Sequence, residues 1–233
     1  MKHFIIIRSA YSDKCDTDKR AKRLEFTDRI CASSLQGQTV KDFTVLLRVN
    51  NRDLLYNNLI QIFSDRNIDF RLLHCTNINQ YDKSSLTDMI KAECKPNDKL
   101  IISRMDDDDA IGVNYMRDLQ NRVSKTEGTK LPIVWSFPEG FHTFHGKLCR
   151  FHRPANMFVS VQCDFENVVD IFSVSHSAID KIAPIRHVNK SPSWIWFRHT
   201  FALSYGNVRK HGPIYDDLPV DDFSIDWDLL LSK

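Results

Sequence analysis

Four short apolar runs punctuate the N-terminal half of the chain: His3 to Ile7, Phe43 to Val49, Phe70 to Leu73 and Leu100 to Ile102. None of them alternates polar with apolar residues. A strand with one face in water alternates; a strand covered on both faces, as in a parallel sheet, does not. Between the runs lie segments with helical spacing, Ala21 to Leu35, Asp53 to Asp65 and Ser84 to Cys94. The last opens on Ser84 and Ser85 as cap candidates and stops before Pro96. Strand and helix therefore alternate, which predicts an α/β fold with a mostly parallel central sheet, α/β/α layers and right-handed crossovers.

The pattern continues past Asp109 with an amphipathic helix carrying Val113, Met116, Leu119, Gln120 and Val123, then an apolar strand from Ile133 to Phe137. Beyond Pro138 the alternation breaks down. Aromatics and histidines accumulate (His142, His145, His152, His176, His187, His199, His211), with strand-like pieces at Met157 to Val161 and Val168 to Val174. Asp216 to Asp228 form an acidic end, either ordered or frayed. No repeat, low-complexity tract or linker interrupts the chain, so 1–233 is expected to be a single domain.

Composition narrows the class. With 233 residues and 42% hydrophobic content the chain can bury a large core. Its 32 Lys plus Arg nearly cancel 30 Asp plus Glu, so no global field announces a nucleic-acid or membrane partner. Cys15, Cys31, Cys75, Cys94, Cys149 and Cys163 form no CxxC pair. No apolar stretch reaches the roughly 18 residues of a membrane span. A soluble, cytoplasmic protein with reduced thiols and no integral membrane association is expected.

Ligands of open α/β sheets bind at the carboxyl ends of the strands, and three of those positions are charged here. Arg8 follows the first strand; Arg48 and Asn50-Asn51-Arg52 follow the second; Arg104 and Asp106-Asp107-Asp108-Asp109 follow the fourth. Four adjacent carboxylates repel one another, and holding them in a cleft calls for a compensating cation. Hard oxygen donors suit Mg²⁺ or Mn²⁺, which bind through one or two carboxylates plus substrate phosphates. A solvated acidic loop is the competing reading, set back by the position between a buried strand and an amphipathic helix. Lys19, Arg20, Lys22 and Arg23 read as the solvated face of the first helix, or as a grip on a polyanion.

The segment SRMDDDDAIGVNYMRDLQ resembles the strand-end Asp-x-Asp motif of glycosyltransferase A enzymes, and most closely the putative rhamnosyltransferase family, whose version reads Arg, apolar, Asp, any, Asp, Asp. FIIIRSAYS, SLQGQ before DFTVLLRV, and PSWIWFRHTFALSYGN agree with it, so the resemblance spans most of the chain. It implies a glycosyltransferase A (Rossmann-like) fold, a nucleotide diphosphate sugar as donor, and Mn²⁺ or Mg²⁺ as cofactor. The implied division is a nucleotide-sugar-binding half, about 1–112, and an acceptor-binding half, about 113–233. Carried over by residue, Asp106 contacts the ribose or shares the metal, Asp108 is the principal metal ligand, and Asp109 supports them. Asp107 takes the variable position and points away. Arg104 approaches the nucleotide and Arg8 its base or ribose. His199 completes the metal site, although Thr200-Phe201-Ala202 replaces the family's Gly-Asn continuation. His176 is the implied general base, with Asp170 and Glu139 as competitors.

The acceptor implied is a glycan or another hydroxyl-bearing molecule. Other readings remain: transfer to a hydroxylated base of modified DNA, flipped from its duplex; a carboxylate-metal nuclease or phosphatase; or a non-catalytic cation-binding module.

Overall fold

A computed structural model describes residues 1–9, 16–50, 52–75, 83–126, 128–188, 192–199 and 212–232. Its centre is a seven-stranded sheet built from β1 (Lys2–Arg8), β2 (Thr44–Val49), β3 (Phe70–His74), β4 (Leu100–Asp106), β6 (Ile133–Ser136), β9 (Ser160–Cys163) and β10 (Ile185–His187), in the order β10-β6-β9-β4-β1-β2-β3. All neighbours run parallel except β9, which is antiparallel to both β4 and β6. The mostly parallel sheet is as the apolar runs predict.

The lack of alternation in those runs has its cause in the packing. Ile5 and Ile7 of β1 join one core, with Val45, Leu47, Ile101 and Met105, while Phe4 and Ile6 join the other, with Leu46, Leu100 and Ile102. The first core is covered by α1 (Thr17–Phe26), α2 (Ser33–Gln36), α3 (Tyr56–Asp65) and α5 (Tyr115–Ser124); the second by α4 (Lys83–Ala92) and the 168–185 segment. The layers are thus α/β/α, and strands with both faces buried are apolar on both, without alternation. Among the described residues no helix is long and apolar enough to cross a membrane.

Several boundaries differ from the sequence reading for local reasons. Asp16, not a residue near Ala21, starts the first helix, its carboxylate accepting from the Asp18 and Lys19 amides. The helix runs on through a π-helical stretch, Thr27–Ala32, into α2. α3 begins at Tyr56 because Asp53 Oδ1 captures the Leu55 amide at 3.0 Å and holds a turn first. Ser84 and Ser85 fall within α4 rather than at its cap. The 168–174 piece is not a strand: Asp170 Oδ1 accepts from the Phe172 amide at 3.0 Å, closing an Asx turn, and a 3₁₀ turn follows at His176–Lys181.

A second, four-stranded sheet holds β5 (Ala110–Ile111), β7 (Glu139–Phe144), β8 (Lys147–His152) and β11 (Trp194–Trp196), in the order β5-β11-β7-β8. It packs with α6 (Trp227–Leu231) around Phe26, Phe141, Phe197 and Phe223. The acidic C-terminal stretch is ordered rather than frayed, because Phe223, Leu229 and Leu230 are buried and Asp226 caps α6 through the Leu229 amide.

Candidate functional site

Register brings the charged strand ends together. Arg8 lies beside Arg48 on one neighbouring strand and beside Asp106 on the other. By the two-residue period of a strand, Arg8, Arg48, Arg104 and Asp106 share the sheet face of Phe4 and Ile6. Arg8 clasps Asp106 in two hydrogen bonds of 3.1 Å, from Nε to Oδ1 and from Nη2 to Oδ2. A cleft of about 460 Å³ opens at this edge, lined by Arg8, Arg104, Asp106, Met157, Phe172 to His176 and Trp196. The structure thus gathers four of the residues singled out in the sequence, Arg8, Arg104, Asp106 and His176, around one space.

The remaining three carboxylates are not exposed strand-end groups; they lie behind that space. Asp107, expected to be a bystander turned away, is the most enclosed of the four at 0% exposure. It accepts from Ser9 Oγ at 2.6 Å and from Arg23 Nε and Nη2 at 2.9 and 2.7 Å. Burial alone raises its pKa, but Arg23, Arg20 and the Ser9 hydroxyl outweigh burial and hold it below the usual carboxylate value. Asp108 pairs with Arg23 Nη1 and, through Oδ2, with His199 Nε2 at 2.8 Å. Asp109 does not line the cleft. Its Oδ1 accepts from the Phe197 amide at 3.0 Å, and burial followed by the charges of Asp108 and Asp106 pushes its pKa well up. Through that contact it holds the end of β11 in place.

Arg20 and Arg23, read as part of a solvated helical face, are in fact buried. Three residues apart, they turn inward on one side of α1, where Arg20 pairs with Asp53 at 2.6 Å and Arg23 serves the acidic run. Charge balance of the carboxylates therefore begins with guanidinium groups. The sequence reading misses Arg23 as a site residue, although an Arg at i and i+3 beside apolar Leu24 and Phe26 is the available signal.

His176 sits at the cleft with Nε2 accepting from Arg153 Nη2 at 3.0 Å. Burial, then Arg153 and Arg104, lowers its pKa to about 4, so the imidazole is neutral at physiological pH. Neither competitor lines the cleft: Glu139 pairs with His152 in the second sheet, and Asp170, close enough to act on Arg104, holds the turn before Phe172. His199 packs against Phe26 and Phe197 with ring centroids 4.4 and 4.8 Å apart. The residues that follow it, Thr200-Phe201-Ala202, lie outside the described residues, as does His211.

The Arg153 contact is open to a direct test. Substituting Arg153→Met removes a nearby positive charge and is expected to raise the His176 pKa from about 4 toward its ordinary 6.5, read by NMR titration of the imidazole. In the native protein the depressed value makes His176 favour folding above pH 6.5, a contribution lost as pH falls toward 4. An unmoved titration in the variant contradicts this electrostatic account.

As for a metal, Asp108 and His199 place a carboxylate oxygen and an imidazole nitrogen side by side, donors that suit Mn²⁺. Among the described residues no three acidic, His or Cys side chains are gathered as a ready metal cage. Two protein donors nonetheless fit the chemistry of Mg²⁺ or Mn²⁺, which take their remaining ligands from phosphates and water.

Comparison with solved structures finds S. aureus TarS, residues 1–349, at TM-score 0.51 and 8% identity, covering 84% of this chain and 60% of that one. TarS 1–349 in complex with UDP matches at TM-score 0.51 and 9% identity, with the same coverage. The chain thus spans 60% of the length of these TarS structures. At such identity the likeness is one of fold, the glycosyltransferase A fold. Comparison with curated proteins gives no match. A family profile described as "Putative rhamnosyl transferase" matches residues 11–209, most of the chain, and the protein belongs to that family.

Proposed function

We propose that the protein transfers a sugar from a nucleoside diphosphate to a hydroxyl of a glycan-type acceptor. The observation that carries this reading is the convergence of Arg8, Arg104 and Asp106, from the ends of two adjacent parallel strands, with His176 and Trp196 on one cleft. Family membership supports it, as does the fold shared with TarS, a protein whose structure has been solved with UDP.

The cleft's two walls match a division of labour. Arg8, Arg104 and Asp106 come from the first 112 residues and hold the donor: Asp106 at the ribose, Arg8 at the base or ribose, Arg104 at the phosphates. Met157, Phe172 to His176 and Trp196 come from the later half and shape the acceptor side. Trp196, stacked with Phe151 and lying beneath Arg198 at 4.1 Å, is a held aromatic part of that wall. Asp108 and His199 would hold Mn²⁺ or Mg²⁺, which as a Lewis acid would neutralise the leaving diphosphate.

If configuration inverts, the acceptor proton passes to a base, and His176 and Asp106 are the imidazole and carboxylate that line the cleft. With His176 in that role, the acid limb of the kcat profile falls near pH 4 and moves up in Arg153→Met. A limb that ignores Arg153 assigns the proton to Asp106 instead.

A thermal-shift screen of nucleoside diphosphates and their sugars, with and without Mn²⁺, tests the reading and identifies the donor, since a ligand bound only by the folded state raises the unfolding temperature. A panel in which no nucleotide shifts the transition under either condition contradicts it.

A further inference from the structure

Among the described residues, several arginines converge on the cleft. Arg8, Arg48 and Arg104 surround the Phe172 ring, their guanidinium carbons 5.6, 5.2 and 4.3 Å from its centroid. Arg153 approaches from the other wall through His176. Asp106 is clasped by Arg8, and Asp170 accepts from the Phe172 amide through Oδ1 while its charge also acts on Arg104.

Arg104 stands out within this group. It is 7% exposed, it lines the cleft, and its Nη1 is buried with no hydrogen-bond partner among the described residues. An unmade hydrogen bond on a buried, charged donor carries the full desolvation penalty of that group, and such exceptions in native proteins mark places that something else completes. Phe172 covers the face of the guanidinium. The Nη1 N–H in the guanidinium plane is left for a partner, and a phosphate oxygen is an acceptor that suits it.

We infer that Arg104, assisted by Arg8, binds a phosphate of the donor's diphosphate directly, so that the cleft holds this group even without a divalent ion. The assignment to a donor rests on the glycosyl transfer reading above; the anion site itself rests on the arginines. A metal at Asp108 and His199 then adds to an affinity that already exists, instead of creating it.

The test is calorimetric titration of inorganic pyrophosphate, and of UDP, GDP, CDP, ADP and dTDP, into the full chain in EDTA. The wild type is expected to bind pyrophosphate and at least one nucleoside diphosphate. Arg104→Gln is expected to lose tenfold or more of both affinities. Arg104→Lys, which keeps the charge but not the fork, should fall between, and it decides the matter if the Gln variant does not fold. Failure of the wild type to bind pyrophosphate in EDTA overturns the inference, as does a folded Arg104 variant with unchanged affinity. If nucleotides then bind with Mn²⁺ only, glycosyl transfer stands without this subsite. Pyrophosphate binding with no tighter binding of any nucleotide keeps the anion site and removes the donor reading.

Discussion

Arg23→Met is expected to lower the unfolding free energy by about 3–5 kcal/mol, because it removes one partner of a buried ion cluster and leaves charge stranded in the interior. Arg23 is the group that reaches both Asp107, through Nε and Nη2, and Asp108, through Nη1. Methionine replaces the length of the side chain but none of its donors. Urea denaturation with an unchanged slope measures the loss. The sign of its pH dependence is fixed by Asp107, whose folded-state pKa lies below the ordinary 3.8. Such a carboxylate stabilises the fold above 3.8, and the contribution disappears as pH falls through the folded value. The deficit of the variant should therefore shrink in acid. Adding Asp107→Asn to Arg23→Met should return part of the stability, since the stranded charge is gone. A loss below about 1 kcal/mol, the range of exposed pairs, contradicts the buried-cluster account.

The second large effect concerns transfer. Asp108→Asn is expected to reduce kcat/KM on the order of 100-fold or more, since metal-assisted neutralisation of a leaving group is worth several kcal/mol of transition-state stabilisation. Asparagine is chosen over alanine because Asp108 is buried between Arg23 and His199, and an isosteric side chain avoids a cavity there. Raised Mn²⁺ should restore part of the rate if the loss is one of metal affinity, and His199→Ala should show the same dependence on Mn²⁺. Full activity of Asp108→Asn in the presence of chelator removes Asp108 from the metal site.

Much of the scaffold was readable from residue order, for a definite reason. β1, β2 and β4 are covered on both faces, so each appears as an apolar run, and Asp106 ends β4 at the carboxyl edge of the sheet. The second sheet was not readable in the same way. β7 and β8 carry Gly140, His142, Lys147 and Arg150 among their apolar residues, so neither a run nor a clean alternation appears. Their turn, His145-Gly146, has both residues at positive φ, 49° and 70°, which is the backbone a two-residue hairpin requires. That dipeptide between apolar-aromatic segments was the one local sign of the hairpin.

The acidic run shows the same limit within the site. Its place at a strand end followed from periodicity, but the separate fates of its members depended on contacts far apart in sequence. Asp106 faces the cleft with Arg8, Asp107 meets Arg23 and Ser9, Asp108 meets His199, and Asp109 holds the Phe197 amide. Electrostatic reasoning called for a compensating divalent cation beside the four carboxylates. Helix α1 supplies positive charge from within the chain, Arg23, a partner that no local pattern at 106–109 could reveal.

Everything proposed for transfer depends on a nucleotide sugar occupying the cleft at the ends of β1 and β4. Calorimetric titration of the donor found by the thermal screen tests this most directly, comparing the wild type with Asp106→Asn and Trp196→Ala in the presence of Mn²⁺. The expected result is one site per chain in the wild type, weakened tenfold or more by Asp106→Asn, with Trp196→Ala weakening acceptor saturation while leaving donor affinity unchanged. Donor binding of undiminished affinity in Asp106→Asn would place the ligand elsewhere and contradict the proposal.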